Sequence, residues 1–383
     1  MNGNNRESRF AIEIGVAFVW FTTQFGGGFA SGNQLRAYFV RFGNWAFLTC
    51  LISQAIGAFY QWYALRYARR HNVYDYRSFN NSFYGKYAPI FSNLYELVYV
   101  VTLCVAPAAA FATGVETMKT SFGLNHWVGT IFVGLFIFIV AVYGTNVVRR
   151  VASFLSIAIV AGLFLVYVPN IFAQWGDIQA NIAASSAAPQ PFGKALWMTI
   201  VYGSFQLASI GLLVQHAAPF KEHDDARTSM IAGFFVNGII CLMAVLGLTA
   251  ITNDPNWMKE PIPLMILVNK GPASAILRPI ISILIVLGSV STAVNMIAGM
   301  SNRVCKGLDP NFNPTDKPGK NVIIVTLICT VVAFLIAQLG LNKIVAVGYK
   351  YLGYLTIPVI VIPYIVHMIV TKFDSLPLKD ETK

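Results

Sequence analysis

Hydrophobic residues in this chain gather into long runs separated by short polar segments. Ten of the runs, at residues 10–42, 45–67, 90–118, 127–147, 151–168, 192–218, 229–251, 274–301, 322–339 and 345–370, approach or exceed the roughly 20 residues needed to cross a bilayer as a helix. The pattern predicts an all-α integral membrane protein of ten transmembrane helices. Five fall in a first half, residues 1–168, and five in a second, residues 192–371. The Ala-, Ser- and Asn-rich segment 169–191 reads as an exterior connection between the halves, and 372–383 as a cytoplasmic tail. A short apolar stretch at 261–269 is too short to span and predicts a small helix folded over the outer face.

Two runs are interrupted. In the first, Phe25 to Arg36 reads FGGGFASGNQLR, and its four glycines make a continuous helix improbable. Backbone left unpaired at membrane depth is tolerated where it is buried in protein or lines a polar cavity. The break therefore predicts a bound ion or small solute: Gly26, Gly27 and Gly28 would present carbonyls and permit close approach, and a half-helix starting near Ala30 would aim its positive end at an anionic group. The competing reading is a glycine kink used for close helix packing. The sixth run carries its interruption, YGSFQLASIG at 202–211, at the corresponding place. An ungapped offset of 178 sets Ala30, Ser31, Leu35 and Phe42 over Ala208, Ser209, Leu213 and Phe220. Halves of five spans each must be inverted relative to one another, which predicts a 5+5 inverted repeat with a midplane site between the repeats.

Composition agrees with this reading. Of 383 residues, 56% are hydrophobic and 11% charged, and the mean hydropathy is +0.61. The net charge of +11 would suggest a nucleic-acid partner in a soluble protein. Here the cations occupy the segments between spans, and most of the 27 Lys and Arg residues fall on one side if both termini are cytoplasmic, as the positive-inside rule requires in a cell membrane. Arg6 and Arg9 precede the first run without a convincing cleavage site, so that segment is read as retained. The bilayer and a small-molecule substrate are the expected partners, and nothing bears on oligomeric state. The five cysteines form no CxxC pair and read as packing residues.

Gly288, Ser291 and Thr292 lie at i, i+3 and i+4 in the eighth run and so share one helix face. Carbonyls and hydroxyls of this kind suit Na⁺, a hard cation; the alternative is that both hydroxyls bond back to their own helix. The segment Gly32-Asn33-Gln34-Leu35-Arg36 resembles the Gly-Asn-x-x-Arg stretch of sodium-coupled symporters of the LeuT fold, in the amino acid-polyamine-organocation superfamily. Over all ten spans in order the chain is most similar to the YkvI-type bacterial membrane proteins. That resemblance implies a Na⁺ site made by the carbonyls of Gly26, Phe29 and Gly288 with the hydroxyls of Ser291 and Thr292. It implies a second ion site at Gly28, Asn33, Phe205 and Asn237, although Phe205 stands where the family has a hydroxyl, with Ser204 adjacent. Asn33 and Asn237 could equally contact each other or the substrate. No tyrosine occurs in 104–108, where the family uses one to hold a substrate carboxylate.

Gly27, Gly28, Ala30, Ser31, Tyr202, Ser204, Phe205, Gln206 and Ser209 are the expected substrate contacts, with Tyr349, Tyr351 and Tyr354 as further aromatic candidates. Arg36 and Glu116 are expected to pair as an external gate, and Glu13 and Glu96 to pair with loop arginines. The absence of Lys from 151–168 favours Na⁺ over H⁺ as the coupling ion, since proton-coupled relatives often carry one there. The function these expectations describe is Na⁺-coupled symport of a small polar organic solute, such as an amino acid or related zwitterion, by alternating access. An H⁺-coupled transporter, a quaternary-amine or osmolyte carrier, and a non-transporting membrane sensor stand as alternatives. No HExxH or GxSxG motif or paired-carboxylate constellation points to an enzyme.

Overall fold

The computed structural model describes residues 9–143, 145–309, 312 and 317–375, with the side chains of 145–156 and of His223 outside that description. The cations at Arg6, Lys379 and Lys383, and the side chains of Arg149 and Arg150, therefore lie outside it, as does most of the expected tail. The described chain is all-helical. Its first half holds α1 (Arg9–Gln24), α2 (Gly27–Ala30), α3 (Asn33–Tyr38), α4 (Trp45–His71), α5 (Tyr76–Tyr84), α6 (Ala88–Phe122), α7 (His126–Tyr143) and α8 (Thr145–Ala173), and α9 (Trp175–Ala187) follows. The second holds α10 (Phe192–Gln206), α11 (Ile210–Leu213), α12 (His223–Thr249), α13 (Pro263–Lys270), α14 (Ser274–Leu308), α15 (Lys320–Ala337), α16 (Leu341–Lys343), α17 (Tyr349–Thr356) and α18 (Ile362–Val370).

Among the described residues seven helices are long and apolar enough to cross a membrane, or eight if α8 and α9, bent by 76° at their junction, count as one span. The first expected span falls short because it is broken into α1, α2 and α3. The second, α4, has the length but is diluted by buried polar residues, among them Thr49, Ser53, Gln54 and Gln61. Such residues belong in the bundle interior, where hydrocarbon does not reach them. Exposed Ile131, Phe132, Leu135, Ile328 and Leu335 put α7 and α15 on the lipid side.

The segment 169–191, expected as the connection between the halves, is mostly helical. Helix α8 runs through Pro169 to Ala173, and α9 occupies most of the remainder. Its alanines are the strongest helix formers available. Asn181 on α9 donates to the carbonyls of Thr249 (2.9 Å) and Ala250 (3.2 Å), closing the end of α12. The sixth span is tightened rather than unwound: α10 passes into 3₁₀ geometry at Leu207–Ser209, then α11, then 3₁₀ again at Val214–Ala217. Its backbone stays hydrogen-bonded, unlike the break in the first span.

Contacts between helices pair off across the halves. α1 packs on α12 and α10 on α4; α6 packs on α15 and α14 on α7; α4 meets α12 and α6 meets α14.

Candidate substrate and ion site

The first span unwinds at Phe25 and Gly26, makes the single turn α2, and restarts at Asn33, three residues later than expected. Gly32 permits the restart with φ +80°, a left-handed conformation that glycine adopts freely. The turn satisfies much of its own backbone. The Gly26 carbonyl accepts from the N–H groups of Phe29 and Ala30 at 3.0 Å, and the Phe29 carbonyl from Gly32 at 2.9 Å. Ser31 Oγ donates to the Gly28 carbonyl at 3.1 Å, and the Ser31 carbonyl accepts from Leu264 of α13 at 3.1 Å. Helix α13 is the small helix expected at 261–269, and it lies directly against the break.

Gly27 is a packing position. A Cβ there would come within 2.8 Å of Ser289 Oγ and of Thr113 Oγ1, so the turn is clamped between α14 and α6. The kink-for-packing reading thus holds at Gly27, while Gly26 borders a cavity. At Gly28 an added Cβ would strike the Gln34 side chain at 2.9 Å. Ala30 and Ser204 are buried and line no cavity identified beside the break.

Two contiguous cavities adjoin the break. The larger, about 270 Å³, lies between α1, α14 and the sixth span, with Thr22, His216, Gly288, Ser291, Thr292 and Asn295 on its walls. The smaller, about 50 Å³, continues between Gly26, Gln24, Gln34, Phe205, Gln206 and Ser209, and Thr292 borders both. Four of the five expected ion-site residues are thereby brought together: a Cβ on Gly26 would be in contact with Thr292 Cγ2 at 3.8 Å, and Gly288, Ser291 and Thr292 line one wall, whereas Phe29 lines neither cavity. Thr292 Oγ1 donates to the Gly288 carbonyl at 3.0 Å, as the back-bonding alternative required. That bond uses the hydroxyl's proton and leaves its lone pairs available.

The second ion site is not assembled. Asn33 Nδ2 donates to the Pro261 carbonyl (2.8 Å) and to Asn342, whereas Asn237 Nδ2 donates to the Gly233 carbonyl of its own helix (2.8 Å). No hydrogen bond joins the two amides to each other among the described residues. The gate expectation is likewise corrected. Glu116 pairs with Lys119 on its own helix at 3.1 Å. Arg36, 4% exposed, donates to the carbonyls of Trp257 and Glu260 and to Asn342 Oδ1 at 2.7 Å. Its guanidinium lies 5.9 Å from the Trp257 ring centroid. A partner found in the 252–262 loop was not visible in the sequence, because such carbonyls carry no residue signature. Burial pushes the carboxyl of Glu260 up, with the Ile262 N–H and nearby Arg36 pulling it down. On the same loop the Lys270 ammonium and the Asn256 N–H hold Asp254 below the usual carboxylate range. Together Asn33, Arg36, Asn342 and this loop seal the end of the break opposite the larger cavity.

Glu13 and Glu96 do meet arginines. Glu13 accepts from Arg9 at 3.2 Å, and Arg9 also reaches Asp225 at 2.6 Å; Glu96 pairs with Arg303 and lies 3.7 Å from Arg77.

Residues the sequence reading missed supply the polar lining. Tyr202 OH accepts from Gln24 Nε2 (3.2 Å) and Gln206 Nε2 (3.1 Å). Among the described residues the side-chain oxygens of Gln24 and Gln34 are buried without a hydrogen-bond partner, a costly arrangement unless something completes it. Polar residues flanking the glycine run were the available signal. Of the aromatics, Phe205 and Tyr349 line the small cavity with their tilted rings 4.8 Å apart, while Tyr202 packs against Phe205 at 5.0 Å. Tyr351 is 65% exposed, and Tyr351 and Tyr354 line neither cavity.

No family model matches the chain. It is 23% identical over 348 residues to the uncharacterized membrane protein YkvI of Bacillus subtilis (strain 168), covering 89% of this chain and 92% of that protein. Among solved structures it is similar to a Na⁺-coupled sialic acid symporter captured in a substrate-bound, outward-open state, with a TM-score of 0.59 at 14% identity over 94% of this chain and 80% of the other. A manganese transporter of Eremococcus coleocola gives a TM-score of 0.47 at 12% identity, covering 100% of this chain and 92% of that one, a likeness too slight to argue from. The chain is an all-α, multi-span membrane protein with a LeuT-like fold, distantly related to YkvI.

Proposed function

We propose that this protein is a secondary active transporter that carries a small polar organic solute, such as an amino acid or related zwitterion, together with Na⁺. The observation that carries this reading is the pair of unpartnered amide oxygens, Gln24 and Gln34, facing each other's neighbourhood across the break beside Thr292. They are acceptors for ammonium or hydroxyl protons on a solute. The nearby Gly26, Phe29, Gly288, Ser291 and Thr292 offer neutral oxygens for one Na⁺, which can replace hydration without a buried carboxylate.

Alternating access is supported by the asymmetry around the break. One end is sealed by Arg36 and the 252–262 loop, the other is hollow from Thr292 towards Gly299. Helix contacts that recur when the halves are exchanged support the ten-span inverted repeat: α1 on α12 matches α10 on α4, and α6 on α15 matches α14 on α7. The positive-inside bias would then make the hollow end cytoplasmic.

Purified protein would be screened by thermal unfolding against amino acids, hydroxylated solutes and quaternary amines, in NaCl and in choline chloride, since a ligand of the folded state raises its apparent stability. A zwitterion that stabilises only in Na⁺ supports the reading. Stabilisation that is indifferent to Na⁺ contradicts the coupling.

A further inference from the structure

A second, larger hollow lies away from the break, on the outer surface where α4 and α12 run antiparallel. It measures about 660 Å³ and is lined from α4 by Ala55, Ala58, Phe59, Trp62 and Arg66, with Asp224, Arg227, Met230, Ile231 and Phe234 contributed by α12. On each helix these residues recur at three- and four-residue steps, so each supplies one stripe. The small Ala55 and Ala58 leave the space, and Phe59 and Ile231, 43% and 48% exposed, form rims.

The charges are all at one end. From Ala55 to Arg66 the groove rises about 16 Å at 1.5 Å per residue, close to one leaflet of a hydrocarbon core about 30 Å thick. Arg66 and Arg227 stand at the interfacial end opposite a single carboxylate, Asp224, and neither arginine forms an ion pair among the described residues. Arg66 lies 5.9 Å from the Trp62 ring centroid, and its Nε is buried without a hydrogen-bond partner. An apolar trough one leaflet deep that ends in unpaired guanidinium groups has the shape and charge of a phospholipid with an anionic headgroup. Guanidinium forks match phosphate oxygens, and basic pockets between spans bind such headgroups.

We propose that this groove holds an anionic phospholipid, with an acyl chain along Phe59, Trp62, Met230 and Phe234 and its phosphate on Arg66 and Arg227. The site is independent of the transport reading and requires only that α4 and α12 span the membrane.

The full-length protein, purified in a neutral detergent, would be titrated with palmitoyl-oleoyl phosphatidylglycerol and with the phosphatidylcholine of the same chains, and bound lipid counted by native mass spectrometry. At roughly fivefold per arginine, from about 1 kcal/mol each near a membrane surface, phosphatidylglycerol should be preferred on the order of 25-fold. Arg66→Gln with Arg227→Gln should abolish the preference, whereas Arg41→Gln, an exposed cation beyond the other end of α4, should leave it intact. Ala58→Trp, which keeps both arginines and fills the trough, should lose the lipid as well and serves if the double variant folds poorly. Equal affinity for the two lipids, a preference that survives the double variant, or full displacement of the lipid by inorganic phosphate would overturn the proposal. So would a dimer in solution that Ile231→Arg dissociates, since a second copy would then occupy the groove.

Discussion

Gln24 and Tyr202 share a hydrogen bond of 3.2 Å and stand 178 residues apart, the same offset that overlays the two interrupted spans. Under a two-fold relation between the halves, a residue can touch its own counterpart only near the axis. The bond would therefore mark where an axis between the repeats passes, beside the small cavity. Tyr202→Phe removes the acceptor for Gln24 and Gln206 and leaves Gln24 buried with no partner. The expected cost is about 1–3 kcal/mol, read as a lower unfolding midpoint in denaturant, with solute binding weakened in parallel.

Gly27 is clamped between Thr113 and Ser289, so even one methyl must displace a neighbour. Gly27→Ala should destabilise the fold by about 1–3 kcal/mol, as overpacking does. Gly26→Ala, whose Cβ would meet Thr292 at an ordinary 3.8 Å, should fold well and act on ion binding instead. Unfolding curves for the pair separate packing from function. Equal stability losses in both would contradict the division.

Arg36 and Glu116 are expected to behave differently. Glu116→Gln removes only a pairing with Lys119, half exposed, and should stay within about 0.5 kcal/mol of the parent. Arg36→Gln breaks three hydrogen bonds, one buried and two partly buried, to the 252–262 loop and Asn342. A cysteine at Gln34 should then react faster with a membrane-impermeant maleimide added on the Glu260 side. Faster labelling in Glu116→Gln and unchanged labelling in Arg36→Gln would restore the original pairing.

Sidedness is open to direct labelling. On a background free of the five cysteines, Ala184→Cys on α9 should react from outside and Asn81→Cys on α5 from inside; both positions are exposed. The reverse pattern would invert the assignment of the hollow end.

Much of the bundle was legible because span length and glycine interruption are local signals. The break at Phe25–Gly26, the small helix α13 and the shared face of Gly288, Ser291 and Thr292 needed no long-range information. The helices within 169–191 were not anticipated, although the alanines there favour them. Span α4 shows the limit of hydropathy: Gln54 and Gln61 face protein, a fact fixed by neighbours far along the chain. Arg36 was expected in an external gate but given the wrong partner, since backbone carbonyls of Trp257 and Glu260 lie more than two hundred residues away. Gln24 and Gln34 were overlooked for the opposite reason. Gln34 sits within the most informative stretch and Gln24 immediately before it, and both were eclipsed by its glycines.

The central claim is that Ser291 and Thr292, with the carbonyls of Gly26, Phe29 and Gly288, hold the coupling Na⁺. Uptake into proteoliposomes of a solute identified by the thermal screen would be measured across a Na⁺ titration at constant ionic strength, for the parent and for Ser291→Ala with Thr292→Ala. Loss of ligands to a charged group costs on the order of 1–3 kcal/mol, so the Na⁺ midpoint should rise roughly tenfold to hundredfold while the double variant stays folded. An unchanged midpoint, or a parent that ignores Na⁺ and responds to a pH gradient, would contradict the account.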